Sequence, residues 1–417
     1  MERSQITKTK INLLNQGVCF GPPNLFTDFP NINRYKTKHL YTRPTIIDGR
    51  VFDLSKEENL IPSELLLHDD SRVSLTKLRF NPDSELILEA DGAETQLSIG
   101  GRALDLVSNL VPKEEILERN TPLEVGGYHT KVGDYIDIVG LDRVSILFFD
   151  GCSNWNYGKQ CQFCDLHPRR VTDQVIRPTT NRLRDFQDDT TEWWDENRED
   201  YFAGLRYAMQ QIDQDLRFNH GNLYFMAGNL PESEDTWRIA RDLIGDLARE
   251  IDLSKYQTIL NIAPHDSLES LCEIKRLGIK QVQYNLEVIS RDLFEQICPG
   301  KLNYDAFIAK LIEAVGVFGF GSVRSNFVFG LQSKEELLKG IDELAQNGIV
   351  ADYSAFQPKK NTPLCNLKSP SQDDVLDFTD RLVEIYLQYG FKPIFSTVSS
   401  RSSVINEVYN DRLPQSI

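Results

Sequence analysis

The sequence predicts an α/β fold, a partial or full TIM-type (β/α) barrel with an N-terminal α+β domain. Three observations lead there. The chain has 417 residues, 40% of them hydrophobic, enough for two or three domains of roughly 150 residues or for one barrel with an appendage. Up to about residue 142 the sequence reads as short strand-like runs broken by turn dipeptides. Beyond it, continuous apolar runs alternate with segments of helical period, the rhythm of parallel strands joined by crossover helices.

The elements follow in order. Residues 1–45 are rich in Asn, Pro, Lys and Thr, without periodicity, and are expected to form an extended arm. Residues 46–142 are expected to form the small α+β domain. Within it, runs at 85–90 and 94–99 flank Asp91-Gly92, a dipeptide suited to the positive φ of a tight hairpin turn. The apolar spacing over 103–110 predicts a helix stopped by Pro112. The barrel core, 143–370, is assigned strands at 144–149, 223–227, 258–262, 281–288, 323–329 and 351–356. Such continuous apolar runs suit strands buried on both faces. A last strand at 392–396 belongs to an extension, 371–417, that completes the barrel. Helices are predicted at 201–212, 236–251, 267–277, 304–317, 334–346 and 372–389. The acidic stretch 185–200, which contains Trp193 and Trp194, reads as a solvated connection or helix face.

Composition narrows the function. Lys plus Arg number 46 and Asp plus Glu 62, a net charge of −16, and no basic run is long enough to grip a phosphate backbone. No nucleic-acid partner is expected. Residues 1–15 hold no seven-residue apolar stretch, and no 18-residue apolar run follows. The expectation is a cytoplasmic protein with no membrane partner. Seven cysteines are an odd number for a disulfide framework, and in such a chain their clustering points to metal or catalysis.

The cluster is Cys152-x8-Cys161-x2-Cys164, directly after the first barrel strand, where a barrel carries its chemistry. Three thiolates on one loop suit three irons of a 4Fe–4S cluster, with the fourth iron open to a ligand. Tetrahedral zinc with His167 as fourth ligand satisfies the same spacing. Spacing alone leaves both open.

The loop resembles the cluster loop of the radical S-adenosylmethionine (SAM) superfamily. That family usually spaces its cysteines C-x3-C-x2-C, so the eight-residue gap is a variant. Phe163, just before the last cysteine, fits the family pattern. Met226-Ala227-Gly228-Asn229, ending the second strand, resembles the segment that receives the amino group of SAM, but it lacks the acidic residue often found there. That departure leaves the bonding to backbone carbonyls. Asn285-Leu286-Glu287 resembles the fourth-strand segment of biotin and lipoyl synthases that reaches the ribose hydroxyls; in a strand, Asn285 and Glu287 share a face. Asn326 to Gly330 matches the adenine-facing fifth strand. Phe356-Gln357-Pro358 with Asn361-Thr362-Pro363-Leu364 matches the sixth-strand segment, Asn361 replacing the usual glycine. The resemblance covers about residues 144–364. It implies a radical SAM enzyme with a 4Fe–4S cluster and S-adenosyl-L-methionine as cofactors. Such an enzyme cleaves SAM reductively to a 5′-deoxyadenosyl radical, which takes hydrogen from a small-molecule substrate in a biosynthetic reaction. It also implies a one-electron donor such as flavodoxin or ferredoxin.

Substrate-facing candidates are His265, ending the third strand, and Arg324 and Arg401, whose forked guanidinium groups suit a carboxylate. Cys365 is a candidate hydrogen donor. The hydroxyl-rich segment 396–403 around Arg401 follows the last predicted strand and suits a polar or anionic metabolite. Each has a structural alternative: a helix-capping loop for His265 and 396–403, ion pairing for the arginines, packing for Cys365. Peptide modification and a zinc-stapled binding protein are the competing functions.

Overall fold

A computed structural model describes residues 4–20, 34–39, 46–47, 50–51, 60–69, 73–91, 94–125, 128–149, 151–164, 190–359, 362–394 and 400–413. The arm expected at the N-terminus contains a helix instead, α1 (Gln5–Gln16), with Ser4 capping the Thr7 N–H at 3.3 Å. Its buried stripe joins Ile6 and Leu13 through Lys10, which is 0% exposed. A lysine in the apolar stripe hides the helical period from the sequence.

A six-stranded path of β1 (Cys19–Phe20), β2 (Glu64–His68), β3 (Val73–Lys77), β4 (Leu86–Asp91), β5 (Glu94–Ile99) and β7 (Val107–Leu110) runs β1-β4-β5-β7-β2-β3, with β6 (Arg102–Ala103) added on β5. The β4–β5 hairpin pairs Asp91 with Glu94, as the Asp91-Gly92 signal predicts. The predicted helix at 103–110 does not form. There Ser108 is buried, Val107 exposed and Leu110 buried, an alternation of two, and Ser108 Oγ donates to Thr95 O at 2.9 Å. α1 closes the core of this sheet with Ile6, Leu13, Leu65, Leu88 and Leu97.

The second sheet holds β8 (Asp137–Val139), β9 (Arg143–Leu147), β10 (Asn222–Met226), β11 (Gln257–Asn261), β12 (Gln281–Gln283), β13 (Val323–Phe329) and β14 (Ile349–Ala355), in that order. Strands β9 to β14 are parallel and β8 is antiparallel to β9. The crossovers are α2 (Thr190–Asp213), α3 (Ser233–Glu250), α4 (Leu268–Arg276), α5 (Arg291–Ile297), α6 (Tyr304–Phe318) and α7 (Lys334–Gln346). Among the described residues this is a partial TIM barrel of six parallel strands. The acidic stretch enters α2 from residue 190, with Trp193 and Trp194 buried while Asp195, Glu196, Glu199 and Asp200 stay exposed.

After β14 come α8 (Gln372–Tyr389) and α9 (Ile405–Arg412). Residues 392–394 of the predicted seventh strand are not in a strand, and 395–399 lie outside the described residues. The barrel gap is lined instead by the segment before α9, where the Val404 N–H donates to Tyr353 Oη at 3.3 Å. Lys10 of α1 anchors it through Ser400 O at 2.6 Å and Glu407 Oε1 at 2.7 Å. Among the described residues, no helix is long and apolar enough to cross a membrane.

Candidate functional site

The three cysteines of the motif lie on the loop that leaves β9, at its carboxyl end. All seven cysteines are described and none is in a disulfide. The Cys164 N–H closes a turn on Cys161 O at 3.0 Å. The loop is held to the end of β10, where the Ser153 N–H donates to Asn229 O at 2.8 Å. Gly228 makes the approach possible: a Cβ there would lie 1.8 Å from Gly151 O and 3.2 Å from Cys152 Cβ. The glycine of Met226-Ala227-Gly228-Asn229 thus seats the cysteine loop. Among the described residues no three His, Cys, Asp or Glu side chains are gathered as a metal-binding group. A hydrogen bond to Cys298, with burial, pushes the Cys161 thiol up, and Lys301 pulls against both; burial pushes the Cys152 thiol up as well. As a donor set, three thiols on one loop with a neighbouring cation fit an iron–sulfur cluster, whose ligands are thiolates. His167, the alternative zinc ligand, and Asn361 lie outside the described residues.

The expectation that Asn285 and Glu287 share a strand face fails, because the strand ends at Gln283. Beyond it the chain bends, and Glu287 takes φ +72°, a region that costs a non-glycine residue roughly 1–2 kcal/mol. Its N–H donates to Asn326 O at 3.0 Å and its carbonyl accepts from the Val328 N–H at 2.8 Å, which fixes the bend. The Glu287 carboxylate then meets Lys301 Nζ at 2.8 Å, and Lys301 Nζ also donates to Asn285 O. Burial alone would lower the Lys301 ammonium, but Glu287 and the Cys161 and Cys298 thiols raise it above the ordinary lysine range. Lys301 was missed by sequence reasoning, since its place depends on a bend no local period announces.

The Asn285 side chain instead joins a ring of hydrogen bonds across the lumen. Tyr224 Oη donates to Gln283 Oε1 at 2.6 Å, Gln283 Nε2 to Asn285 Oδ1 at 2.9 Å, Asn285 Nδ2 to Asn261 Oδ1 at 3.2 Å, and Asn261 Nδ2 to Tyr224 Oη at 3.1 Å. Burial pushes the Tyr224 phenol up to about 12, so it enters the ring protonated. Beside this ring is a cavity of about 190 Å³, lined by Asn326, Asp352 and, from the C-terminal segment, Ser400, Ser402, Ser403 and Asn406.

The other predicted residues separate. Phe163 packs half-buried on the barrel core, as does Ala227. The Met226 carbonyl accepts the Phe148 N–H at 3.0 Å and Asn229 O is bonded to Ser153. Gly330, at φ +108° against Pro370, forms a turn after β13. Arg401, expected to face substrate, pairs with Glu64 at 2.7 Å, while Ser400, Ser402 and Ser403 beside it line the cavity. His265 likewise serves the helix starts, accepting the Ser267 N–H on Nδ1 at 2.9 Å and meeting Glu234 at 2.8 Å through Nε2. Arg324 is paired with Asp352 at 2.6 Å. Cys365 is exposed, on a segment tied to the cysteine loop by Leu364 N–H to Gln162 O at 3.2 Å.

No family model matches the chain. Among curated proteins it is similar to bacteriochlorophyllide c C-7(1)-hydroxylase from Chlorobaculum limnaeum, 22% identical over 264 residues, which are 60% of this chain and 62% of that one. The chain therefore spans less than two thirds of that relative's length. Similar solved structures include the hydrogenase maturase HydG (15% identity, 64% of this chain and 55% of that one, TM-score 0.41). Methylornithine synthase PylB (15%, 64% and 75%, 0.38) is another. A third is coproporphyrinogen III oxidase HemN from Escherichia coli, a radical SAM enzyme (13%, 63% and 56%, 0.38).

Proposed function

We propose that this chain is a radical SAM enzyme that carries a 4Fe–4S cluster on Cys152, Cys161 and Cys164 and acts on a small metabolite. When bound, the cluster and SAM supply one-electron reductive cleavage of the sulfonium and, from it, hydrogen abstraction from substrate. The observation that carries the reading is the contact at Gly228, which joins the three-thiol loop to the strand end proposed to receive SAM. There the Ala227 and Gly228 carbonyls are proposed to accept from the amino group, since those of Met226 and Asn229 are engaged. Glu287 is proposed to hold the ribose hydroxyls, and the segment Asn326 to Gly330 to face the adenine. Cys152, Cys161 and Cys164 would hold the cluster, and Cys161 would give up its Cys298 hydrogen bond to do so.

The lumen is proposed to position the substrate. Its amides and hydroxyls fix a ligand by hydrogen bonds, and at about 190 Å³ it lies below the roughly 300–1,000 Å³ of common ligand sites, which favours a small polar molecule. The Ser400, Ser402 and Ser403 hydroxyls take the substrate-facing role first expected of the whole segment. A one-electron carrier such as flavodoxin or ferredoxin is the proposed reductant.

Anaerobic reconstitution tests the reading. The wild type should bind about four irons and four sulfides and release 5′-deoxyadenosine from SAM under dithionite. The triple Cys152→Ala, Cys161→Ala, Cys164→Ala variant should do neither. Stoichiometric zinc without iron in the wild type would overturn it.

A further inference from the structure

The cysteine loop is clamped by the turn after α5, Ile297-Cys298-Pro299-Gly300-Lys301. The Gln162 N–H donates to Ile297 O at 2.9 Å, Gln162 Nε2 to Gln296 O at 2.9 Å, and Asn154 Nδ2 to Gly300 O at 3.3 Å. Gly300 permits this closeness, since a Cβ there would stand 2.5 Å from Lys159 O and from the Asn154 side chain. The Lys301 N–H continues the turn on Cys298 O at 3.0 Å. The clamp therefore fixes beside the loop the residue that carries a buried ammonium, its side chain 16% exposed. Glu287 in its left-handed bend and the Asn285 carbonyl then hold it there.

We propose that Lys301 is a positioning residue for the electron, a fixed buried cation that favours the reduced state of a cluster held by Cys152, Cys161 and Cys164. The inference rests on the radical SAM reading and deepens it. One-electron reduction by dithionite or a carrier protein adds one negative charge to the cluster and its thiolates, with no proton required. In a poorly screened interior a nearby cation stabilises that added charge. The contacts of Gln162 with Ile297 and Gln296, and of Asn154 with Gly300, hold the turn that carries this ammonium against the cysteine loop.

The test is an EPR-monitored redox titration of anaerobically reconstituted wild type, Lys301→Met, Lys301→Arg and Glu287→Gln without SAM, each assayed for iron. At a fixed potential, Lys301→Met should hold about tenfold less reduced cluster, a midpoint about 59 mV more negative for one electron. Lys301→Arg should stay close to wild type, and Glu287→Gln, which removes the counter-charge, should shift the midpoint upward. An unmoved midpoint in Lys301→Met with full iron overturns the inference, even if that variant binds SAM poorly. Should Lys301→Met lose its iron, Glu287→Gln decides: an unmoved or lowered midpoint overturns the proposal and a raised one supports it. A wild type without iron overturns the radical SAM reading itself, a distinct outcome.

Discussion

Replacing Glu64 by Gln tests how the two sheets and the C-terminal segment are joined. Glu64 is 1% exposed. Its Oε1 accepts from Arg401 Nη1 at 2.7 Å, and its Oε2 accepts the Gly140 N–H at 3.1 Å with Lys36 Nζ 3.6 Å away. Lys36 is itself 8% exposed and, among the described residues, otherwise donates only to the Ile138 and Gly140 carbonyls. Arg401, with its side chain 34% exposed, can turn to water at a cost of about 0–1 kcal/mol. Lys36 cannot, so the loss should approach the roughly 3–5 kcal/mol of a broken buried pair. Burial raises the Glu64 carboxyl, but Arg401, Lys36 and the Gly140 N–H outweigh it and hold the group below its ordinary 4.5. A carboxyl depressed by folding stabilises fully above its unfolded value, and that contribution disappears as pH falls through the folded value. Wild type and Glu64→Gln should therefore differ most at neutral pH and converge below about pH 4.5. Urea denaturation followed by circular dichroism, in a double-mutant cycle with Lys36→Met, measures this. Additive single effects, or a gap undiminished in acid, would refute the reasoning.

Lys10→Met should destabilise by about 3–5 kcal/mol, because it leaves the buried Glu407 carboxylate with, among the described residues, only Ser74 Oγ at 2.6 Å as a hydrogen-bond donor; Lys10→Met with Glu407→Leu should recover part of that in the same assay. Gly228→Ala should displace the cysteine loop through the Gly151 carbonyl, so bound iron should fall at least tenfold while far-UV circular dichroism stays unchanged. Glu287→Gln should weaken SAM binding by about 1–3 kcal/mol by calorimetry, the loss of a charge-assisted hydrogen bond; unchanged affinity would remove Glu287 from the ribose. Arg401→Ala should lower the urea midpoint while leaving uncoupled SAM cleavage within twofold of wild type, and a selective loss of substrate-dependent turnover would restore it to the substrate site.

The barrel was legible because its signals are local. The strand assigned at 323–329 folds with those bounds, and α7 and α8 begin and end where their periods do. The N-terminal third was harder because its stabilising choices are long-range. Lys10 breaks the apolar stripe of α1 for a partner 397 positions away, and buried Ser108 looks polar until Thr95 is found beside it. In both, a polar residue takes an apolar position since its partner arrives from elsewhere in the chain.

The same physics divides the candidate site. The cysteines were singled out by spacing and Gly228 by resemblance, whereas the close backbone approach that Gly228 permits shows only in the fold. Glu287 was singled out, but on the wrong geometry. The period-two argument assumes an extended strand, and residues 284–288 abandon it for a bend fixed by β13. With that bend, the carboxylate meets Lys301, and Gly300 lets the turn before that lysine press against Asn154 of the cysteine loop. Arg401 fails in the opposite direction. Its hydroxyl neighbours do line the cavity, yet its guanidinium is taken up by Glu64. A residue at a barrel's strand end thus earns a chemical role only once the face it presents is known.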